Sequence, residues 1–149
     1  MNTEFMNEAF KYAKMAFDID EVPIGAVIVK DNHIISSSYN KKESSNCCTA
    51  HAEMLAIEEA SKALNNWRLE DCDIYVTLDP CPMCASAIKQ ARIKNVYSAL
   101  SNSDSTNTEI IKKIFEADNT NPGVNFISNI EPTKSQIILN KFFKKQRNN

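Results

Sequence analysis

Two short stretches of this 149-residue chain place metal-binding and proton-transfer side chains at fixed spacings. In the first, Glu53 follows His51 by two residues. In the second, Cys81 and Cys84 form a C-x-x-C pair. Zinc accepts one imidazole and two thiolates as ligands, and a catalytic zinc keeps its fourth position for water. A carboxylate beside such a metal can take the proton of that water. We therefore predict a hydrolytic zinc site with these ligands and with Glu53 as its acid–base group.

Both stretches lie where helices are predicted to begin. Residues two apart on a helix do not face one another, so His51 and Glu53 can converge only on a group beyond the helix end. Pro82 suits a first helical turn, and thiolates near a helix N-terminus are favoured by its dipole. The spacing thus predicts two helix N-termini that point at one metal ion. The C-x-x-C pair alone would also suit a redox pair or half of a structural zinc site.

Length and composition limit the class of protein. We expect one domain over residues 1–149, since this length supports one core and not two ordinary domains. The net charge of −2 does not indicate a nucleic-acid binder, although a local basic patch still allows one. Five cysteines, an odd number, favour a reducing cytoplasm over a disulfide scaffold. We expect no signal peptide and no membrane span, because no apolar run is long enough.

The spacing of apolar residues predicts the remaining elements. An amphipathic helix is indicated by the spacing of Phe5, Ala9, Tyr12, Ala13 and Ala16. A further helix is predicted after the His51 stretch and another after the C-x-x-C pair. Four strands are predicted at 24–29, 34–39, 74–78 and 95–99. The first two form a hairpin around a polar turn. The later strand–helix–strand crossovers imply parallel neighbouring strands with helices on the sheet faces.

The last third of the chain is predicted as a polar loop at 101–108, a short helix around 110–115, a strand within 124–130 and a helix at 133–147. The apolar side of that last helix is predicted to hold Ile137, Ile138, Leu139, Phe142 and Phe143. Its end is basic, with Lys141, Lys144, Lys145 and Arg147. These cations either complement the helix dipole in solvent or contact the phosphates of an RNA.

On these motifs the chain resembles the cytidine deaminase superfamily, and within it the tRNA adenosine deaminases of bacteria. H-A-E at 51–53 and P-C-x-x-C at 80–84 match the signature of zinc-dependent nucleobase deaminases. E-V-P-I-G-A-V at 21–27 and M-L-A-I at 54–57 favour the tRNA branch. The resemblance implies a three-layer α/β/α sandwich around a mixed five-stranded sheet, a Zn²⁺ cofactor, a homodimer and RNA contacts.

The resemblance also implies a substrate pocket. Asn40 matches a residue that hydrogen-bonds the base, because an amide offers a donor and an acceptor together; the alternative is a turn residue that closes the second strand. Ile24, Ala52 and Leu78 are predicted to complete the pocket. Three segments depart from the family. Cys47-Cys48 replaces Asp-Pro, Asp79 replaces Glu, and S-N-S-D-S-T-N-T at 101–108 replaces K-T-G-A-x-G-S.

The remaining thiols, Cys47, Cys48 and Cys72, are interpreted as structural or incidental, because a catalytic zinc needs a free position. The predicted function is hydrolytic deamination, with adenosine at the wobble position of a tRNA anticodon as the substrate and inosine as the product. One alternative is a deaminase of free bases or nucleosides, namely cytosine, guanine, adenine or cytidine. Another is a non-catalytic zinc-binding module, which would have no use for Glu53.

Overall fold

A mixed five-stranded sheet forms the centre of the computed structural model, which describes residues 1–148. The helices are α1 Thr3–Asp18, α2 Ala52–Leu64, α3 Pro82–Gln90, α4 Ser105–Phe115 and α5 Pro132–Arg147. The strands are β1 Gly25–Lys30, β2 His33–Tyr39, β3 Cys72–Val76, β4 Asn95–Ser98 and β5 Asn125–Ile127. None of the helices described is both long and apolar enough to cross a membrane.

The strand order is β2-β1-β3-β4-β5. β1 pairs antiparallel with β2, which confirms the predicted hairpin, and also antiparallel with β3. β3, β4 and β5 are parallel neighbours, as the crossover rule predicts. The prediction of neighbouring strands is wrong for the crossover through α2, because β1 lies between β2 and β3 in the sheet. The carboxyl ends of β3, β4 and β5 consequently share one edge of the sheet.

Helices cover both faces of the sheet. One core contains the inward residues of α2, α3 and α4 together with Ile28, Ile74 and Val96 of the sheet. The other contains Met6 and Ala9 of α1 against the opposite face. α5 lies beside α1, where Lys134 contacts Asn7 at 3.3 Å. The predicted three-layer α/β/α sandwich is confirmed.

Gly25 permits the close approach of α1 to β1. A Cβ atom there would overlap the carbonyl oxygen of Ala9 and lie 2.6 Å from the backbone nitrogen of Ala13. Any side chain at this position would push the helix away from the strand that begins there. The glycine of the E-V-P-I-G-A-V segment is therefore required for the packing of α1 against β1.

Two predictions about the last third of the chain need correction. The polar segment 101–108 is not all loop, because Asp104 accepts a hydrogen bond from the Thr106 backbone N–H at 2.9 Å and caps α4 from Ser105 onward. On α5, Leu139 and Phe142 are buried as predicted, whereas Ile137 and Phe143 are 51% and 47% exposed. The apolar residues of α5 therefore exceed what the core accepts.

Candidate active site

The sequence places His51 and Cys81 at the starts of two helices. His51 is the N-cap residue of α2 and Cys81 that of α3, and neither side chain caps its own helix. Pro82 occupies the first turn of α3, where its missing N–H costs no hydrogen bond. Both side chains are consequently free to turn toward a common point at the carboxyl edge of the sheet.

Three potential ligand atoms meet at that point. Nδ1 of His51 lies 3.7 Å from Sγ of Cys81 and 3.5 Å from Sγ of Cys84, and the three atoms lie within 4.8 Å of one another. Tetrahedral zinc with bonds of about 2.3 Å to sulfur and about 2.0–2.1 Å to nitrogen separates the two ligand types by about 3.6 Å. The donor set and its spacing therefore fit zinc.

The two thiols differ in acidity because they interact with each other. A hydrogen bond from Cys84 lowers the pKa of Cys81 to about 5, assisted by backbone N–H groups at the start of α3 and by His51. The same hydrogen bond, together with burial, raises the pKa of Cys84. In the metal-free chain Cys81 is thus the thiolate and Cys84 the thiol, and a bound cation would favour the deprotonated form of both.

Glu53 lies in the first turn of α2 and is 4% exposed. Burial raises the pKa of its carboxyl to about 7. A carboxyl that titrates near neutral pH both accepts and donates protons under ordinary conditions, which is the property of a general acid–base group. It lies two residues after His51, the N-cap residue that supplies the imidazole, and beside the ligand cluster.

The pocket next to this cluster is open and has a volume of about 240 Å³. Drug-sized ligands occupy about 300–1,000 Å³, so this pocket suits a single small ring system. Its wall contains the four residues predicted to bind substrate, which are Asn40, Ile24, Ala52 and Leu78. Asn40 is 6% exposed, so it is not merely a surface turn residue after β2.

Sequence reasoning missed four other residues of this wall, which are Val22, Lys42, Asp79 and Asn102. Asp79 stood directly before the P-C-x-x-C motif, so its position was a usable signal. Asn102 lies in the segment 101–108, which departs most from the family. The resemblance implies that this segment lies at the mouth of the pocket, and the structure puts Asn102 in the pocket wall.

The loop between β2 and α2 is held by a residue that sequence reasoning did not assign. Glu21 is 1% exposed, and its carboxylate accepts hydrogen bonds from the backbone N–H groups of Glu43 at 3.0 Å and Ser44 at 2.6 Å. Burial alone would raise the pKa of Glu21, but these hydrogen bonds outweigh it and lower the pKa. This contact orders the loop that carries Lys42 and leads to His51.

A larger open cavity of about 400 Å³ lies among Arg92, Lys94 and Asn121, near the amino ends of β4 and β5. Its carboxylates, Glu70 and Asp71, are exposed. Ligands of open α/β sheets bind outside the carboxyl ends of the strands. Glu53 and the ligand cluster lie at the carboxyl ends of the strands, so the smaller pocket is the candidate active site.

The other cysteines lie outside the ligand cluster: Cys47 and Cys48 are exposed in the loop before His51, and Cys72 is buried in β3. Lys89 of α3 makes its contacts outside the pocket. Its ammonium lies 3.0 Å from the Asp118 carboxylate and donates to the Glu116 carbonyl at 2.7 Å.

A mixed five-stranded sheet with His51, Glu53 and the C-x-x-C pair at two helix starts defines a class, the hydrolytic deaminases with a cytidine deaminase-like fold. A family model of MafB19-like deaminases matches residues 1–147. The chain belongs to the MafB19-like deaminase family.

Three known proteins refine this relationship. The tRNA-specific adenosine deaminase of Bacillus subtilis is 38% identical over 143 residues, which cover 96% of this chain and 89% of that protein. A structure solved in a study of A-to-I editing by tRNA:A34 deaminases at the wobble position is 38% identical, with a TM-score of 0.85 over 93% of this chain and 100% of that one. The guanine deaminase of Bacillus subtilis is 34% identical, with a TM-score of 0.67 over 100% and 96%.

Proposed function

We propose that this protein is a zinc-dependent deaminase that converts adenosine to inosine at the wobble position of a tRNA anticodon. The observation that carries the proposal is that the pocket continues into a groove on the protein surface. Leu78 and Asn102 belong to the pocket wall and also to an adjoining groove of about 240 Å³ along α5. A free base would fill the pocket and leave the groove unused, whereas a base within an RNA strand brings its neighbours with it.

The groove has the composition of a site for unpaired nucleotides. Leu100 and Leu139 form its apolar wall, and Gln136 and Asn140 contribute amides. Phe143 lies at its border and is 47% exposed. Unpaired RNA bases stack on exposed aromatic rings and hydrogen-bond with amides along their edges. The exposure of Phe143, which the core does not explain, fits this use.

The four cations near the end of α5 lie on two sides of the helix. Residues four apart lie on the same face of a helix. Lys144 therefore shares the groove-facing side of α5 with Asn140, and Arg147 shares it with Phe143. Lys141 and Lys145 share the other side, where the Lys145 ammonium lies 2.8 Å from the Asp20 carboxylate. We therefore assign phosphate contact to Lys144 and Arg147, and remove Lys141 and Lys145 from the set predicted from the sequence.

His51, Cys81 and Cys84 would hold the zinc, as their donor types and spacing fit it. When bound, zinc supplies the positive charge that makes water a nucleophile at neutral pH. The protein side of the reaction belongs to Glu53. Its carboxylate takes a proton from the attacking water and delivers it to N1 of the base. It then takes the proton of the hydroxyl added at C6 and delivers it to the departing ammonia. Water thus adds at C6, ammonia leaves, and the Glu53 carboxylate is regenerated.

The remaining wall residues bind and orient the base in this proposal. Asn40 offers the base an amide donor and acceptor from one side. Ile24, Ala52 and Leu78 enclose the ring and exclude bulk water. A wobble base is already unpaired in the anticodon loop, so placing it in the pocket costs little.

A second candidate function is the deamination of a free base such as guanine. Its support is the 34% identity over the whole chain with the guanine deaminase of Bacillus subtilis. The zinc and Glu53 chemistry would be unchanged, because it acts on any amino-bearing ring carbon. The TM-score of 0.67 is lower than that of the tRNA deaminase structure, and the groove would have no role.

One assay separates the two candidates. Zinc-loaded protein is incubated with an anticodon stem-loop that carries adenosine at the wobble position, and separately with guanine, adenine, cytosine and cytidine. We expect inosine in the stem-loop and no ammonia release from the free bases. Release from a free base, with the stem-loop intact, would replace the first candidate by the second.

Neutralising Lys144 and Arg147 together should weaken stem-loop binding and reduce its salt dependence. Each lost phosphate contact lowers the magnitude of the slope of log K against log salt by about 0.7–0.9. The matched control is Lys141→Gln with Lys145→Gln, which removes the same charge from the other side of α5. Equal effects of both pairs on the salt slope, measured by fluorescence anisotropy, would contradict the assignment.

Two further expectations depend on the RNA substrate. We propose a cytoplasmic location for the protein, because its proposed substrate is a tRNA. We also propose that it forms the homodimer implied by the family resemblance. Light scattering of the zinc-loaded protein at the mass of a single chain would exclude that dimer.

A further inference from the structure

Asp79 is a buried carboxylate that the mechanism above does not use. It follows β3, lies two residues before Cys81 and is 5% exposed in the pocket wall. Its Oδ1 accepts a hydrogen bond from the Ser128 hydroxyl at 2.5 Å, and its Oδ2 accepts one from the Asn102 backbone N–H at 3.1 Å. Burying a carboxylate is costly unless it is paired in this way. The carboxylate therefore joins the segments that follow β3, β4 and β5.

Further contacts hold the same segments together. The Asp79 backbone N–H donates to the Leu100 carbonyl at 2.9 Å. The hydroxyls of Ser101 and Ser128 lie 3.0 Å apart, so the chain after β4 is tied to the chain after β5. Asn102 sits at the end of this network, on the border shared by the pocket and the α5 groove. The network therefore determines where Asn102 stands relative to a bound nucleotide.

The side-chain amide of Asn102 uses its oxygen within the fold, and its nitrogen is available to a ligand. Its Oδ1 accepts the Asp104 backbone N–H at 2.8 Å, which forms a turn just before α4. With the oxygen and the backbone N–H both used, the Nδ2 group is the hydrogen-bonding group left to meet a ligand. Nδ2 is a donor, so the complementary group on a ligand is an acceptor such as a ring nitrogen or a ribose oxygen.

We propose that Asn102 binds the target nucleotide by donating its amide N–H to an acceptor of that nucleotide, and that Asp79 is a positioning residue that holds Asn102 there. This inference rests on the proposed deaminase function and names a substrate contact in the segment that departs from the family pattern. Asp79 acts only through Asn102, so the two residues form one unit whose effects on substrate binding are not additive.

A double-mutant cycle tests the unit. Asn102→Ala should raise KM by roughly 3-fold to 10-fold, as for one lost hydrogen bond, with kcat changed by less than about 2-fold. Asp79→Ala removes the acceptor of the Asn102 backbone N–H and should raise KM similarly. In the Asn102→Ala background, Asp79→Ala should add nothing further to KM.

Asp73→Ala is the control for a merely structural role. It removes the acceptor of the Asn95 side-chain amide, 2.7 Å away at the opposite end of β3, and should lower the melting temperature while KM stays within about 2-fold of wild type. Unchanged KM in Asn102→Ala, or KM effects of Asp79→Ala and Asn102→Ala that multiply in the double mutant, would overturn the inference. Zinc content, measured for every variant, should not change.

The substrate in this cycle is the one that the wild-type protein turns over. With the anticodon stem-loop, the cycle tests the inference within the proposed function. If the wild type deaminates only a free base, the tRNA proposal fails, while the same KM comparison on that base still decides whether Asn102 contacts substrate. The two failures are thereby distinguished.

Discussion

Replacing Glu53 by glutamine is expected to lower turnover by roughly 10²-fold to 10⁴-fold while zinc stays bound. Glutamine fills the volume of the buried side chain but cannot take the proton of the attacking water. None of the three proposed ligands is altered, so metal analysis should still show about one equivalent per chain. Steady-state deamination rates and zinc content, measured on the same preparation, check both halves of this prediction.

The matched control is Glu58→Gln, one turn and a half along the same helix and exposed. It makes the same chemical change outside the pocket and should leave turnover unaltered. Wild-type turnover in the Glu53 variant would remove the carboxylate from the mechanism.

The same variant has a second signature in the metal-free protein. A carboxyl whose pKa is about 7 when folded and 4.5 in its ordinary state binds more protons in the folded chain. Folding stability therefore falls as pH rises from about 4.5 to about 7 and stays low above that. Glutamine carries no such charge, so zinc-free Glu53→Gln should melt at a higher temperature than zinc-free wild type at pH 8, with a smaller difference at pH 5.

Cys81→Ser is expected to abolish zinc binding and activity together. Cys81 lies 3.7 Å from the His51 imidazole at the start of α3 and is the thiolate of the pair. A neutral hydroxyl is a poor replacement for that ligand, and loss of the metal removes its activation of water. Metal analysis should fall from about one equivalent to near zero, and deamination to background.

Stability should fall with the metal. A ligand present at 100 times its Kd stabilises the folded state by about 2.7 kcal/mol, which corresponds to roughly 5–11 °C in the melting temperature of a domain of this size. Cys47→Ser is the control, since it exchanges an exposed cysteine outside the cluster. Retention of a full equivalent of zinc by Cys81→Ser would remove Cys81 from the ligand set.

Much of the site could be predicted because its geometry is local. The spacings of His51 to Glu53 and of Cys81 to Cys84 place each pair within one helix start, and a helix start has the same shape wherever it occurs. The proline after Cys81 marks that start in the sequence itself. The hairpin of β1 and β2 was predictable for the same reason, since a short polar turn joins two neighbouring strands.

The tertiary structure decided what depends on distant parts of the chain. Only the folded sheet shows that β3 pairs with β1 rather than β2, and that Asp79 after β3 meets Asn102 after β4. The capping of α4 by Asp104 turned a polar stretch into a helix. No spacing within α5 shows that Asp20 pairs with Lys145 and that Phe143 stays exposed. These outcomes depend on which surfaces meet after folding, whereas a sequence motif records only the few residues that are neighbours along the chain.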